Sequence, residues 1–578
     1  MNQENLKYFL LVSLFFTSPE LISKVAEVDE KSFVAPVLDD NSGHDKIINI
    51  MAQINHSVVP GKVAPIVYTQ ATNLDKDLNV SEIADFFQAK TVMGKAYLRE
   101  TLSRPVSPTD KSGIVALRSN IIRQLVENPN LKSEVEAILQ SVVPYEKDII
   151  TLMSTSFKNK TCPELAQLQQ LKDANHPLYG FVKFMNTSRI PKTVEFLELS
   201  LALPVLWGAT GYCGGVVYKG NYDAIASGLY FGLITAFITF VYADGLVKAG
   251  EKRSKMHALN QLIYIAEDLE LLSIEENIQT QFKMSLITDN AGVALVDGLK
   301  VSRYQNETDY CFDPSAVHTY LYYLYENENQ LAQIFASIAE MDACNAIATK
   351  MIEAQNSQRQ FCFSQVLRSA QPKVISKDFW NVLVPHAVTN SLIQDQHVIL
   401  TGPNAGGKTT SIRAILQNIV LSQTYGVAAA SHFEYTQFDV VLSYLNISDD
   451  LINGLSLFAS EVKRAQELLE IIKNLPTNQK LFFALDELFT GTAAEAGEKI
   501  AYDFIKKIAS YHQTLFIYAT HFDALKELGK QNIGLMNYKA DAPIKNAEGK
   551  LVYPFTLSPG ASTVNVAMDM AKEANLFN

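Results

Sequence analysis

The feature that most narrows what this chain can fold into is the decapeptide TGPNAGGKTT at positions 401–410. Gly402, Gly407, Lys408 and Thr409 stand at the full P-loop spacing, a glycine, four residues, then Gly-Lys-Thr. The glycines let the backbone curl so that successive N–H groups point at phosphate oxygens. Lys408 can reach the terminal phosphates, and the Thr409 hydroxyl can ligate Mg²⁺. Such a loop needs a strand leading in and a helix leading out. HVIL (397–400) reads as a buried strand, and SIRAILQNIVLSQ from Ser411 reads as the helix. A nucleotide site is therefore expected, its loop made of Gly402, Pro403, Asn404, Ala405, Gly406, Gly407, Lys408, Thr409 and Thr410.

Downstream, LFFALDELFTGT reads as a buried strand ending in two carboxylates. Asp486 is placed to hold Mg²⁺, directly or through water, and Glu487 to act as general base or orient a water. An Asp-Glu pair is common on any solvated face; the apolar strand before it and the P-loop upstream favour catalysis. LFIYATHFDAL adds a strand ending in Thr520 and His521, a histidine that can contact a γ-phosphate or the attacking water. Taken alone it is a hydrogen-bonded histidine. Between these, SDDLINGLSLFASEVKRAQELLE sets Ser456 at the start of an amphipathic helix, where an anion contact is chemically natural. The chain's own P-loop is already furnished, so Ser456 is expected to reach the nucleotide of a second subunit.

With 578 residues the chain exceeds one core and suggests two to four domains. Its net charge of −12 argues against a generally basic nucleic-acid coat. The five cysteines are scattered, without zinc or disulfide spacing. KYFLLVSLFF (7–16) resembles a signal-peptide core but has a weak charged flank and no nearby small-residue cleavage pattern, so an uncleaved apolar or interfacial segment is expected. Residues 71–195 carry helical periodicity. Then 199–218 and 224–243 are two charge-free runs of twenty residues each, long enough to cross about 30 Å of hydrocarbon. A transmembrane hairpin is expected there, with a buried hairpin of a soluble domain as the alternative. Basic residues outside both runs put the flanks, and with them the P-loop, on the cytoplasmic side. From about residue 370 strand and helix signals alternate, as in a doubly wound α/β domain.

Together, TGPNAGGKTT, SDDLINGLSLFASE, LDELFTGT and ATHF, in that order, resemble the MutS family of mismatch-repair ATPases. YPFTLSPGASTVNVAMDMAKEANL resembles the segment that closes that ATPase domain, and TVMGKAYLRETLSRPVSPTDKSGIVALRSNIIRQLVENPNL looks like the start of the family's helical core. The resemblance implies a helical core and lever region over 71–371, interrupted by the hairpin 199–243, and a P-loop ATPase domain over 372–578. An N-terminal extension with an apolar segment, 1–70, precedes them. It further implies ATP and Mg²⁺ as cofactors, a homodimer with shared sites, and DNA as partner. Asn404, Gly407, Lys408 and Thr409 would contact phosphate, Thr409 and Asp486 the metal, Glu487 the water, His521 would sense, and Ser456 would act in trans. The chain departs from the family pattern in lacking a Phe-x-Glu wedge among the residues before the core. It also has Leu457 where Thr is usual and Phe489 where Gly is common. The expected function is a membrane-anchored MutS-like ATPase. The alternatives are an ATP-gated membrane scaffold that does not read mismatches and a transporter-type ATPase.

Overall fold

Four of the strands in the C-terminal half are short apolar runs that bury both faces, which is the signature of a parallel sheet covered on each side. The computed structural model describes residues 74–109, 113–157, 328–445, 457–531, 534–547 and 550–564, with isolated positions between 258 and 269. These described residues all fall within one compact unit, Ile47–Asn578.

The first part is helical: α1 (Leu74–Leu78), α2 (Val80–Phe87), α3 (Val92–Ser103), α4 (Ile114–Glu127), α5 (Pro129–Phe157) and α6 (Glu328–Ala354). Helix α3 begins at Thr91, whose hydroxyl accepts the Gly94 N–H at 2.8 Å, as an N-cap does. The cap is itself fixed from α6. Asp342 accepts the Thr91 N–H and hydroxyl, both at 2.7 Å, and the Lys90 N–H at 3.1 Å. Glu146 of α5 accepts the Met93 N–H at 2.7 Å. Two buried carboxylates from different helices thus take up the free N–H groups of a third, which joins the bundle at one end. The approach is close: a Cβ on Gly94 would lie 2.3 Å from Asp342 Oδ2. Because Asp342 is held by three hydrogen bonds it cannot move aside. Gly94→Ala should therefore cost about 3 kcal/mol, the upper end of overpacking. Urea denaturation checks this, and a loss below about 0.5 kcal/mol would mean that the junction is softer than its geometry.

The second part carries β1 (Cys362–Phe363), β2 (Gln365–Val366), β3 (Val374–Phe379), β4 (Asn390–Gln394), β5 (His397–Thr401), α7 (Lys408–Tyr425), β6 (Val427–Ala428), β7 (His432–Tyr435) and β8 (Val440–Tyr444). There follow α8 (Leu457–Asn474), β9 (Leu481–Asp486), α9 (Ala494–Ile508), β10 (Thr514–Ala519), α10 (Asp523–Leu528), β11 (Leu535–Ala540), β12 (Ile544–Lys545), β13 (Leu551–Val552) and β14 (Leu557–Pro559). The main sheet has the order β14-β11-β5-β10-β9-β8. Its five strands β11, β5, β10, β9 and β8 are parallel, and β14 is added antiparallel to β11. Alternate residues face opposite cores. Val398, Leu400, Phe482 and Ile517 join α7 and the helical part in one cluster. Ile399, Phe483, Phe516 and Tyr518 join α8, α9 and α10 in the other. A separate four-stranded sheet, β2-β7-β3-β4, mixes one parallel with two antiparallel pairings.

Two expectations are corrected here. The strand-rich part is not a simple doubly wound layer: its sheets are mixed, and a second sheet packs beside the parallel one. Nor does any helix among the described residues have the length and apolarity to cross a membrane. The two longest, α5 with 29 residues and α6 with 27, carry charged side chains along their length, including Glu136, Glu146, Asp342 and Lys350. A bilayer core offers such groups no partners, whereas here Asp342 and Glu146 bind backbone N–H groups of a neighbouring helix. The expected transmembrane hairpin, 199–243, lies outside the described residues, as do the apolar stretch 7–16 and Ser456. The membrane localisation and the cytoplasmic orientation derived from that hairpin are withdrawn with it.

Helix α7 joins the two parts. From Ile412 to Tyr425 nearly every side chain is buried, the polar ones included. Its last turn is bound to the helical part. Gln423 exchanges hydrogen bonds with Val106, through backbone at 3.1 Å and side chain at 3.2 Å. The Tyr425 hydroxyl meets Thr101 Oγ1 at 2.7 Å. Arg118 of α4 donates to Thr424 O at 3.1 Å, to Tyr97 Oη at 2.9 Å and to Glu340 Oε1 at 2.6 Å. A cation at the carbonyl end of a helix is favoured by the helix dipole.

Candidate nucleotide-binding site

The carboxyl ends of β5, β10 and β9 lie side by side, with Leu400, Ala519 and Asp486 level across the sheet. In open α/β sheets this edge is where ligands bind. The loop after β5 turns through Ala405 (φ 62°) and Gly407 (φ 88°), a left-handed path that suits glycine, into the first turn of α7. The free N–H groups of that turn and the positive end of the helix dipole face the loop.

Five of the side chains singled out from the sequence meet at this edge, in a Thr409–Asp486 pair and a Lys408–His521–Glu487 polar chain. Thr409 Oγ1 donates to Asp486 Oδ2 at 2.5 Å. Lys408 Nζ donates to the carbonyls of Gly402 and Pro403 at 3.1 and 3.2 Å, and lies 3.3 Å from His521 Nε2. His521 Nε2 is 2.7 Å from Glu487 Oε1. One ring nitrogen cannot serve both neighbours. The shorter contact to a carboxylate requires Nε2 to carry its proton and donate to Glu487, which leaves the ammonium as a charge neighbour.

Electrostatics separates the two carboxylates. Burial pushes Asp486 above its ordinary value and adjacent Glu487 adds to this, while the Thr409 hydrogen bond, Lys408 and Arg413 pull it back. Glu487 is held below its ordinary value, first by the His521 hydrogen bond, which together with the weaker pull of His521 and Lys408 outweighs its partial burial. Burial lowers Lys408, against the pull of Glu487 and Asp486. Asp486 Oδ1 is buried without a hydrogen-bond partner among the described residues. An unsatisfied carboxylate oxygen beside a threonine hydroxyl fits a divalent cation, for which both are hard oxygen ligands.

A cleft of about 450 Å³ opens beside the loop, lined by Asn404 through Ser411, by Glu487, and by residues that sequence reasoning missed. Val384, Pro385 and His386 form one wall and Phe555 another. Phe555 approaches the start of α7 so closely that a Cβ on Gly407 would be 3.2 Å from its ring. Asn390 fixes that wall, donating to Phe555 O at 3.0 Å and accepting the Leu557 N–H at 2.6 Å. The wall comes from chain about 150 residues after the loop, so no local spacing could mark it; only the proline-flanked aromatic stretch YPF hinted at it. Ser456, the expected contact to a second subunit, is not among the described residues.

With the geometry in view, residues 398–578 match the family described as MutS domain V. A stretch of 253 residues is 26% identical to the DNA mismatch repair protein MutS of Streptococcus pyogenes serotype M49 (strain NZ131), and equally to that of serotype M12 (strain MGAS2096). In each case the match covers 43% of this chain and 29% of the relative. Similarity to the MutS family is thus established for the strand-rich C-terminal part.

Proposed function

We propose that this chain, MutS-like in its C-terminal part, binds ATP with Mg²⁺ at the loop 402–410 and hydrolyses it to ADP and phosphate. The observation that carries the reading is the convergence of Lys408, Thr409, Asp486, Glu487 and His521 at three adjacent strand ends, where Lys408, Thr409 and Glu487 line the cleft and Asp486 and His521 bind Thr409 and Glu487. ATP brings the phosphoanhydride to be cleaved, and Mg²⁺ supplies charge neutralisation of its phosphates. The chain's own residues do the rest. Backbone N–H groups from Asn404 to Thr410 cradle the phosphates, and Lys408 turns from the loop carbonyls toward them. Thr409 and Asp486 hold the metal. Glu487, released from His521, takes the proton of the attacking water, and His521 registers whether a terminal phosphate is present. Val384 and Pro385 on one wall and Phe555 on the other offer apolar contacts for the base.

We further propose a helical core and lever region over 71–371, an ATPase domain over 372–578, and action as a homodimer in which Ser456 completes the partner's site. DNA is the proposed partner and mismatch repair the proposed process, because the relatives are named for that role. With net charge −12 and no long basic stripe, DNA contact is expected to be weak and to fall steeply with salt.

Equilibrium binding of Mg-ATP tests the core of this reading. Lys408→Ala should weaken binding about thirtyfold or more, equivalent to about 2 kcal/mol, because the phosphates lose a cation. Unchanged affinity would remove the loop from the binding site. Duplexes with and without a mismatch, titrated over a salt series in the same assay, test the partner; no binding at low salt would remove DNA.

A further inference from the structure

Strand β9 ends on Asp486, and the residues that follow leave the sheet by a constrained path. Glu487 (φ 50°) and Phe489 (φ 69°) both take the left-handed conformation that L side chains disfavour. Such a path persists only when its surroundings over-determine it. Two of the restraints come from β10: Ala519 O accepts the Glu487 N–H at 3.0 Å, and the Tyr518 hydroxyl donates to Leu488 O at 2.8 Å. Phe489 adds a buried ring set edge-on against Phe504 of α9 at 5.6 Å.

The remaining restraint is a carboxylate outside the polar chain described above. Glu461 of α8 is 2% exposed. Its Oε1 accepts the Thr490 N–H at 3.0 Å, and its Oε2 accepts the Gly491 N–H at 3.0 Å. The Thr490 hydroxyl lies between Glu461 Oε1 at 3.3 Å and the Glu487 carbonyl at 3.1 Å, sharing one proton between them. Backbone and helix touch at this point. A Cβ on Gly491 would lie 2.8 Å from Phe458 N and 3.0 Å from Glu461 Oε2. All three donors to this buried carboxylate are neutral and belong to the two residues just past Glu487 and its strained turn.

We propose that Glu461 is a positioning residue: by clamping Thr490 and Gly491 it fixes the 487–491 turn and so aims the Glu487 carboxylate at the cleft. The role rests on the reading that Glu487 acts in ATP hydrolysis. Glu461 is not among the residues that line the cleft and acts through the backbone. It also ties α8 to Glu487, so a displacement of that helix would be felt at the carboxylate.

Glu461→Gln keeps the shape but sets an amide N–H against a backbone N–H donor, whichever way the amide turns. Glu461→Asp keeps both acceptors and retracts them by one methylene. In the full chain, turnover at saturating Mg-ATP should fall at least tenfold in Glu461→Gln and less in Glu461→Asp, with ATP affinity within twofold of the parent. Amide hydrogen exchange of the peptide covering 488–491 should quicken at least fivefold in Glu461→Gln. Parental turnover in Glu461→Gln overturns the proposal and leaves the ATPase reading standing. A loss of ATP affinity in step with turnover overturns it as well, since a general structural lesion acts on both. If the parent itself binds ATP but shows no turnover, the ATPase reading falls. Exchange at 488–491 then decides the clamp alone: faster exchange upholds it and unchanged exchange overturns it.

Discussion

Glu487→Gln should retain nucleotide affinity within about threefold and lose turnover by about 10²–10⁴-fold, the range that a positioned general base contributes. The substitution keeps the length and planarity of the side chain and removes its ability to take a proton. It spares Lys408 and the loop amides, so the phosphates keep their contacts. The His521 hydrogen bond at 2.7 Å survives through the amide oxygen, so the local geometry has no reason to change. His521→Ala is the complement. It frees Glu487 from the partner that holds its carboxyl below the ordinary value, and the alkaline shift of the acidic limb of the pH–rate profile that follows would report the pair. Turnover equal to the parent in Glu487→Gln would show that the base lies elsewhere.

Arg118→Met should destabilise the fold by about 3–5 kcal/mol, because it leaves a buried carboxylate without its counter-charge. Arg118 and Glu340 have side chains only 7% and 12% exposed and lie 2.6 Å apart. The same guanidinium also satisfies Thr424 O and Tyr97 Oη and lies over the Tyr425 ring, 5.2 Å from its centroid. Arg118→Lys should recover little, since one ammonium cannot address acceptors in three directions as a planar fork does. Removing both charges in Arg118→Met with Glu340→Leu should recover much of the loss, and chemical denaturation of the four proteins closes the cycle. A single-mutant loss under about 1 kcal/mol would show that the junction between α4, α6 and α7 does not depend on this pair.

The loop proposed to hold phosphate was legible because its chemistry is local. A run of amides that curls around an anion is written in consecutive residues, so Gly402 to Thr410 could be read without knowing what surrounds them. Asp486, Glu487 and His521 could be read because each ends a short apolar strand, and strand ends of one parallel sheet share an edge. The two charge-free runs in 199–243 are a signal of a different kind, and they lie outside the described residues. Absence of charge reports what a segment avoids and not what surrounds it, and the described helices bury carboxylates against backbone N–H groups where a bilayer would offer none.

What the sequence by itself determined is thus the set of groups marked by local spacing or by the end of an apolar strand: the loop, the carboxylate pair and the histidine. Tertiary structure alone decided which distant groups complete them. Asn390 and the Phe555–Leu557 backbone it holds are more than 160 residues apart, and Arg118 and Glu340 are 222 apart. Glu461 reaches a strained turn about 30 residues downstream. Helix α7 is buried on nearly all sides because the helical part covers the face that a sheet-packed helix would otherwise leave to water, which its mixed polar and apolar sequence does not announce. Hydrogen-bond partners at such separations leave no periodic trace, because side-chain chemistry constrains only the distance in space, and many arrangements of the chain can supply it.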